Sequence, residues 1–319
     1  VTTLIRRRMF SMARFVLLLV MVSVATFLLL ELIPGDPVDG LLPEGATEEM
    51  RQQLIQLYGF DQSLVTRYVS WLGDLLHGDL GTSWQTRIPV ATTIAERAPV
   101  SLELAVLAMA LALAVAIPVG IYSAYRPGGI VDRIATFIAS ATLATPAFVL
   151  AIVLVWVFGV QLGWLPIVGW VPFSEDPFQH LRAVILPVIS LAGGECVLFI
   201  RLLKGDMMAT LQQDHVLSAR ARGLPTWRIL VRHALRQSSF SLVTVSGVVI
   251  GRLIGGAVIV EMIFSIPGLG SLVVIAINNR DFITVQAIVL LSALIYLVLN
   301  SLVDLAYPLL DPRVRRATT

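Results

Sequence analysis

Charge is what this sequence has least of. Only 14% of its 319 residues are Asp, Glu, Lys or Arg, against about 25% in a soluble domain whose surface must be wetted. A water-facing exterior is excluded for much of the chain: 57% of residues are hydrophobic and mean hydropathy is +0.85, so the exterior must face lipid. Cysteine is almost missing as well. The single Cys196 excludes an internal disulfide framework and any multi-cysteine metal site, and in its apolar segment it reads as an inert buried thiol. The motifs of catalysis are absent too. There is no Gly-x4-Gly-Lys-[Ser/Thr] phosphate loop, no His-Glu-x2-His and no Gly-x-Ser-x-Gly, and His77, His180, His215 and His233 are scattered outside the apolar runs. These absences predict no catalytic centre, no cofactor and no metal bound by this chain, and no nucleic-acid partner.

What is present is a series of long apolar runs. A helix needs about 20 mostly apolar residues to cross the hydrocarbon core, and in lipid the backbone must satisfy its own hydrogen bonds. Six segments meet that length, at 12–33, 102–123, 134–159, 183–203, 240–264 and 283–305. The fold class expected is therefore an all-α integral membrane protein with six transmembrane helices. The N-terminal arginines Arg6, Arg7, Arg8 and Arg14 precede the first run with no small-residue cleavage site after it, which predicts a retained span rather than a cleaved signal.

Basic residues orient the spans. Sixteen of the 23 fall in the N-terminus, the 124–133 loop, the 204–239 loop with nearby Arg201, and the C-terminus. The opposite side carries only Arg51, Arg67, Arg87, Arg97, Arg182 and Arg280, and its 34–99 segment holds nine acidic residues. Both termini are expected in the cytoplasm. The domain plan is a cytoplasmic N-terminus and first span over 1–33, an external helical insert over 34–99, a transmembrane core over 100–305, and a cytoplasmic tail over 306–319.

Two loops exceed simple connections. In 34–99, Met50, Leu54 and Leu57, then Leu64, Tyr68, Trp71, Leu72 and Leu75, repeat at helical spacing, and Thr47 is placed to cap the first helix. In 204–239, Asp214-His-Val-Leu-Ser-Ala-Arg-Ala-Arg-Gly223 reads as a short helix ended by a left-handed glycine cap, with Pro225 blocking resumption. Ala219, Ala221 and Gly223 leave little side-chain bulk, so a partner surface could approach the backbone closely. Attraction to anionic lipid is the simpler reading of such a basic loop.

At this loop a resemblance becomes specific. Ser218-Ala-Arg-Ala-Arg-Gly-Leu224 followed by Arg232-His-Ala-Leu235 resembles the coupling loop of the bacterial dipeptide/oligopeptide/nickel permeases of ABC importers. Leu32-Ile-Pro-Gly-Asp-Pro37, Gly59-Phe-Asp-Gln-Ser-Leu64, Gly78-Asp-Leu-Gly81, Arg87-Ile-Pro-Val90 with Glu96-Arg97, Gly163-Trp-Leu-Pro166, Gly255 to Ser265 and Pro267-Gly-Leu-Gly270 follow in the family's order. The long insert is similar to that of the first permease subunit type. The resemblance implies a multi-pass protein of the bacterial cytoplasmic membrane. It would work by alternating access with a second homologous permease, two cytoplasmic ATPases that use ATP and Mg, and an external solute-binding protein. It also implies that Asp214, His215, Leu217, Ser218, Ala219, Arg220, Ala221, Arg222, Gly223 and Leu224 form the ATPase-coupling helix. The Glu-Ala-Ala triplet of importer permeases at large is replaced here by Leu217, Ser218 and Ala219. Short peptides are the substrate expected, with nickel chelates, glutathione-like peptides and other small solutes as alternatives. From the residues alone, a self-sufficient secondary transporter or channel is the rival reading.

Among the charges inside the spans, Glu195, Arg252 and Glu261 stand out. A charge at mid-membrane costs about 2.5–3.5 kcal/mol on insertion scales, so Glu195 and Arg252 should face protein or water. Glu261 lies nine residues beyond Arg252, a rise of about 13 Å, too far for a bond along one helix. A Glu195–Arg252 pair between helices is the economical expectation; the alternative is that they line the pathway. Phe264, Pro267, Gly268 and Gly270 follow Glu261 in a sharp turn that is either an external gate or a connection.

Overall fold

The computed structural model describes residues 2–31, 47–57 and 61–310, with side chains from 13 onward except 29–31, 54, 57, 143–144 and 303–310. The Leu32–Pro37 and Gly59–Phe60 motifs, and 311–319 of the tail, lie outside the described residues. Among the described residues the protein is helical, with one isolated β-bridge between Thr82 and Pro89.

Helices follow from the apolar runs but do not stop where the runs stop. The order begins α1 (Thr2–Glu31), α2 (Glu48–Leu57), α3 (Leu64–Leu76), α4 (Val90–Tyr125), α5 (Ile130–Ala144) and α6 (Ala147–Leu154), the last continued by a π-helical turn over Val155–Gln161. It proceeds through α7 (Pro177–Leu211), α8 (Asp214–Ala221) and α9 (Thr226–Arg228), then a π-helical segment Ile229–Leu235 leading into α10 (Arg236–Gly256). The chain finishes with α11 (Val258–Ile263), α12 (Leu269–Asn278) and α13 (Phe282–Leu310).

Among the described residues four helices are long and apolar enough to cross a membrane: Val90–Tyr125, Pro177–Leu211, Thr226–Gly256 and Phe282–Leu302. The stretch Ala13–Leu28 within α1 is apolar but shorter. The run 134–159 is not one straight span. Its helices meet at a bend of 104°, where Thr145 and Pro146 leave the helical conformation. Proline has no N–H to continue the ladder and biases its predecessor away from α, so the break falls there. The run 240–264 is also interrupted, at Ala257 between α10 and α11. Helix α4 begins at Val90, ten residues earlier than the 34–99 insert allows. Helix α7, at 35 residues, rises about 52 Å and overruns the ~30 Å hydrocarbon core.

Two compact units divide these elements: residues 1–99 with 271–297, and 100–270 with 298–319. In the first unit, the apolar spacing read in α3 meets α1. Phe27 packs edge-on to Tyr68 at 5.4 Å and lies 5.9 Å from Trp71, while the Tyr68 hydroxyl bonds Ser23 Oγ at 2.8 Å. Thr47 and Ser63 cap α2 and α3: Met50 N–H reaches Thr47 Oγ1 at 3.4 Å, and Thr66 N–H reaches Ser63 Oγ at 3.2 Å. The same unit holds a loop pinned by one carboxylate. Buried Asp281 accepts from Ser83 Oγ at 2.5 Å, Thr284 Oγ1 at 2.7 Å and Trp84 N–H at 3.3 Å.

The core of the second unit is α7 against α5, α6 and α10. Phe199, Leu186, Leu203 and Met207 are all but inaccessible along α7. At the far end of the unit, Lys204 Nζ donates to Asp132 Oδ1 at 2.5 Å, while Asp132 Oδ2 accepts from Gly128 N–H at 2.8 Å. A single carboxylate thus fixes the turn before α5 to α7.

Candidate coupling surface and intramembrane charge pair

The segment after α7 is helical almost throughout, so the 204–239 stretch is less a loop than a folded element. Leu211 ends α7, Gln213 precedes α8, and α8 runs from Asp214 to Ala221. Its end is a complete Schellman motif. Gly223 stands at φ +74°, its N–H donates to Arg220 O at 2.9 Å, and Leu224 N–H donates to Ala219 O at 3.3 Å. Pro225 does not prevent resumption: it sits in extended conformation as the cap of α9, where its missing N–H costs nothing.

Burial divides α8 into two faces. Val216 and Ala219 are fully buried at i, i+3 spacing and seat the helix on its own chain. Asp214, His215, Leu217, Ser218, Arg220, Ala221, Arg222 and Gly223 are exposed, and Leu224 is half-buried. Ala219 therefore belongs to the seat, not to the surface a partner could approach. The outward face mixes Leu217, 48% exposed, with small and basic neighbours. Beside it a groove of about 360 Å³ is lined by Tyr125, Arg220, Leu224, Thr226, Ile229 and Leu230.

Two polar contacts strap α10 back to the end of α7 and to the residue that precedes α8. Ser238 Oγ donates to Thr210 Oγ1 at 3.1 Å in a buried setting, and Gln237 Nε2 donates to Gln213 Oε1 at 2.9 Å. A push on α8 would therefore reach α7 and α10 together rather than be lost in a slack loop. Nothing in the apolar periodicity marks these four residues.

Farther along the same helices, Arg252 Nη2 donates to Glu195 Oε2 at 2.5 Å. The acid is nearly covered, at 11% side-chain exposure, whereas the arginine side chain is 60% exposed. Glu261 is not a third member. It is completely buried and accepts from Ser101 Oγ at 2.6 Å, and Ser101 Oγ in turn accepts the Leu269 N–H at 2.8 Å.

That buried carboxylate organises the turn read as gate or connection. A Cβ on Gly268 would collide with the Glu261 carboxylate, and one on Gly270 would come within 2.6 Å of Val258 Cα. Phe264 is buried, Ser265 takes φ +53°, and Pro267 is half-buried. Phe264 O accepts the Gly169 N–H at 3.0 Å, which fastens the turn to the segment before α7. That segment is itself held by buried His180, whose Nδ1 lies 2.8 Å from Val171 O and whose Nε2 lies 2.7 Å from Glu103 Oε1. Ser101, Glu103 and His180 escaped the sequence reading because their partners are remote in sequence. Among the described residues no group of three or more His, Cys, Asp or Glu is placed to hold a metal.

Comparison with known proteins agrees along nearly the whole chain. The family described as "Binding-protein-dependent transport system inner membrane component" matches residues 116–316, and its N-terminal companion matches 1–105. A Brucella abortus (strain 2308) protein named as a peptide transport system permease is 38% identical over 314 residues, covering 98% of this chain and 99% of its own. The oligopeptide transport system permease protein AppB of Bacillus subtilis is 33% identical over 314 residues, 98% of each chain. The glutathione transport system permease protein GsiC of Escherichia coli O6:H1 is 34% identical over 297 residues, 93% of this chain and 94% of its own.

Proposed function

The chain belongs to the family of binding-protein-dependent transport system inner membrane components, and from that premise we propose that it is a permease subunit of an ATP-driven importer of short peptides. It is a multi-pass protein of the cytoplasmic membrane and a non-catalytic part of its system. The observation that carries the substrate class is full-length likeness to permeases named for peptide, oligopeptide and glutathione transport.

In this reading two ATPases act from the cytoplasm and an external binding protein delivers the peptide to this permease and a second, homologous one. Six spans with both termini inside complete the topology. Its support is the charge pattern, with arginines gathered in the 124–133 and 201–239 segments, and the anionic insert on the other side. Helix α8 is the coupling helix. Its support is the two-faced burial, the rigid Schellman end and the straps to α7 and α10. The buried Glu261 turn acts as a fixed corner of the outer end rather than as a swinging gate, since glycines pack against its carboxylate with no room for play.

ATP-dependent uptake of radiolabelled tripeptide into proteoliposomes containing the whole complex tests the function. Uptake must require the ATPases and the binding protein. Uptake by this chain alone under an ion gradient would replace the proposal with a secondary transporter.

A further inference from the structure

Arg252 is a cation inside an apolar helix, one turn before that helix ends at Gly256. It lies inside the 240–264 apolar run, sixteen residues after the start of α10 and four before its end, and a cation within such a run almost always faces protein or water. Lipid is therefore not what its 60% exposed side chain faces. It must meet water or protein.

Glu195 already supplies the counter-charge. One carboxylate oxygen takes Nη2 from behind, in a nearly covered position, so the arginine needs no acid from a neighbouring subunit to be tolerated. A guanidinium has five N–H groups in a planar fork, and the contact with Glu195 uses one nitrogen. What remains suits a second, incoming carboxylate, bound bidentately. The surroundings leave room for it. Gly194 beside Glu195, and Gly255 and Gly256 one turn after Arg252, are exposed, and a Cβ added at any of them meets nothing within 4 Å. Backbone can thus be approached on both helices next to the fork.

Resting on the peptide-import reading, we propose that Arg252, braced by Glu195, is a carboxylate-reading subsite of the translocation pathway that takes the C-terminal carboxylate of a short peptide. Glu195 is a positioning residue: it holds the fork and neutralises it while the pathway is empty. An arriving carboxylate shares the guanidinium with Glu195 rather than meeting a bare cation, so binding is selective yet releasable.

The test uses the assembled complex in membranes, with Cys196→Ala removing the one native thiol of this chain and Gly255→Cys adding a reporter where a side chain has space. A cationic, membrane-impermeant methanethiosulfonate should label this cysteine, and trialanine should slow labelling about tenfold while trialanine amide leaves it unchanged. Arg252→Gln should abolish that difference, and Glu195→Gln/Arg252→Gln, which strands no buried charge, should abolish it as well. Three results overturn the subsite: no labelling by the charged reagent where a permeant one succeeds, which means a partner subunit covers the position; equal effects of acid and amide; or acid-selective protection that survives the double replacement. ATP-dependent uptake of radiolabelled trialanine by the unmodified complex is scored separately. Uptake with equal protection sinks only the subsite, whereas absence of uptake sinks the peptide reading itself.

Discussion

Ser101 and Glu261, 160 residues apart in sequence, meet at 2.6 Å in a fully buried site, and the same serine oxygen receives the first N–H of α12 from Leu269. One hydroxyl thus serves a carboxylate and a helix start at once. In a low-dielectric interior such an arrangement is strong when complete and costly when broken. It turns the Gly268–Gly270 corner into a rigid joint.

Ser101→Ala should therefore destabilise the second unit well beyond its loss of one atom. The replacement removes a buried hydrogen bond to Glu261 and leaves the Leu269 N–H without the hydroxyl, a penalty of about 1–3 kcal/mol. A lowered melting midpoint of the purified complex, with Ser101→Thr closer to the original, is the expected record. An unchanged midpoint for Ser101→Ala would count against the joint.

Glycines near this corner should separate sharply from glycines near Arg252. Gly268→Ala drives a methyl into the Glu261 carboxylate and Gly270→Ala drives one into the Val258 backbone. Both should abolish accumulation of the protein in membranes. Gly255→Ala and Gly256→Ala meet open space in this chain and should accumulate at normal levels on an immunoblot. Equal tolerance across the four would contradict the packing.

The contrast explains how much of the molecule the sequence made legible. Hydrophobic length located the four helices long enough to cross a membrane, and local chemistry located the α8 cap, because Gly223 and its partners Arg220 and Ala219 are neighbours in the chain. Helix ends were harder. Helix α7 continues eight residues past the run ending at 203, since polar residues such as Lys204 and Asp206 sustain a helix once it leaves lipid. The break at Thr145–Pro146 was hidden because proline is common in membrane helices and gives no local sign of whether a kink or a full bend results. The pairs Ser83–Asp281 and Ser101–Glu261 carry no periodic signal at all. The Glu195–Arg252 contact was accessible to reasoning for a different reason: buried charge is expensive enough to demand an answer.

On α8 the two faces should respond differently to replacement. Val216→Asp puts an unpaired charge into a closed seat and should lower the amount of folded permease. Leu217→Glu and Ala221→Trp alter only the outward face. They should leave permease levels unchanged but cut co-purification of the ATPases by about tenfold or more, the scale of losing one interface anchor. Gly223→Val, forced into a left-handed conformation that costs about 1–2 kcal/mol, should sit between the two classes, and Gly223→Asn should be milder. Normal ATPase capture by both outward variants would remove the basis for calling α8 the coupling helix.

The Glu195–Arg252 pair gives the last prediction, because its two members are not equivalent. Arg252→Ala leaves the nearly covered Glu195 carboxylate without its donor, and a covered charge left unpaired is costly. Glu195→Ala leaves an arginine that is 60% exposed and can still draw on water, so the loss should be smaller. A melting series should then run original, Glu195→Ala, Arg252→Ala in descending order, with Glu195→Gln/Arg252→Met recovering most of the deficit because no charge is left to solvate. Exchanging the charges, Glu195→Arg with Arg252→Glu, should recover less, since it places the bulkier, cationic group in the covered site. An opposite order of the single variants would show that the arginine, rather than the acid, depends on the pair for its place in the membrane.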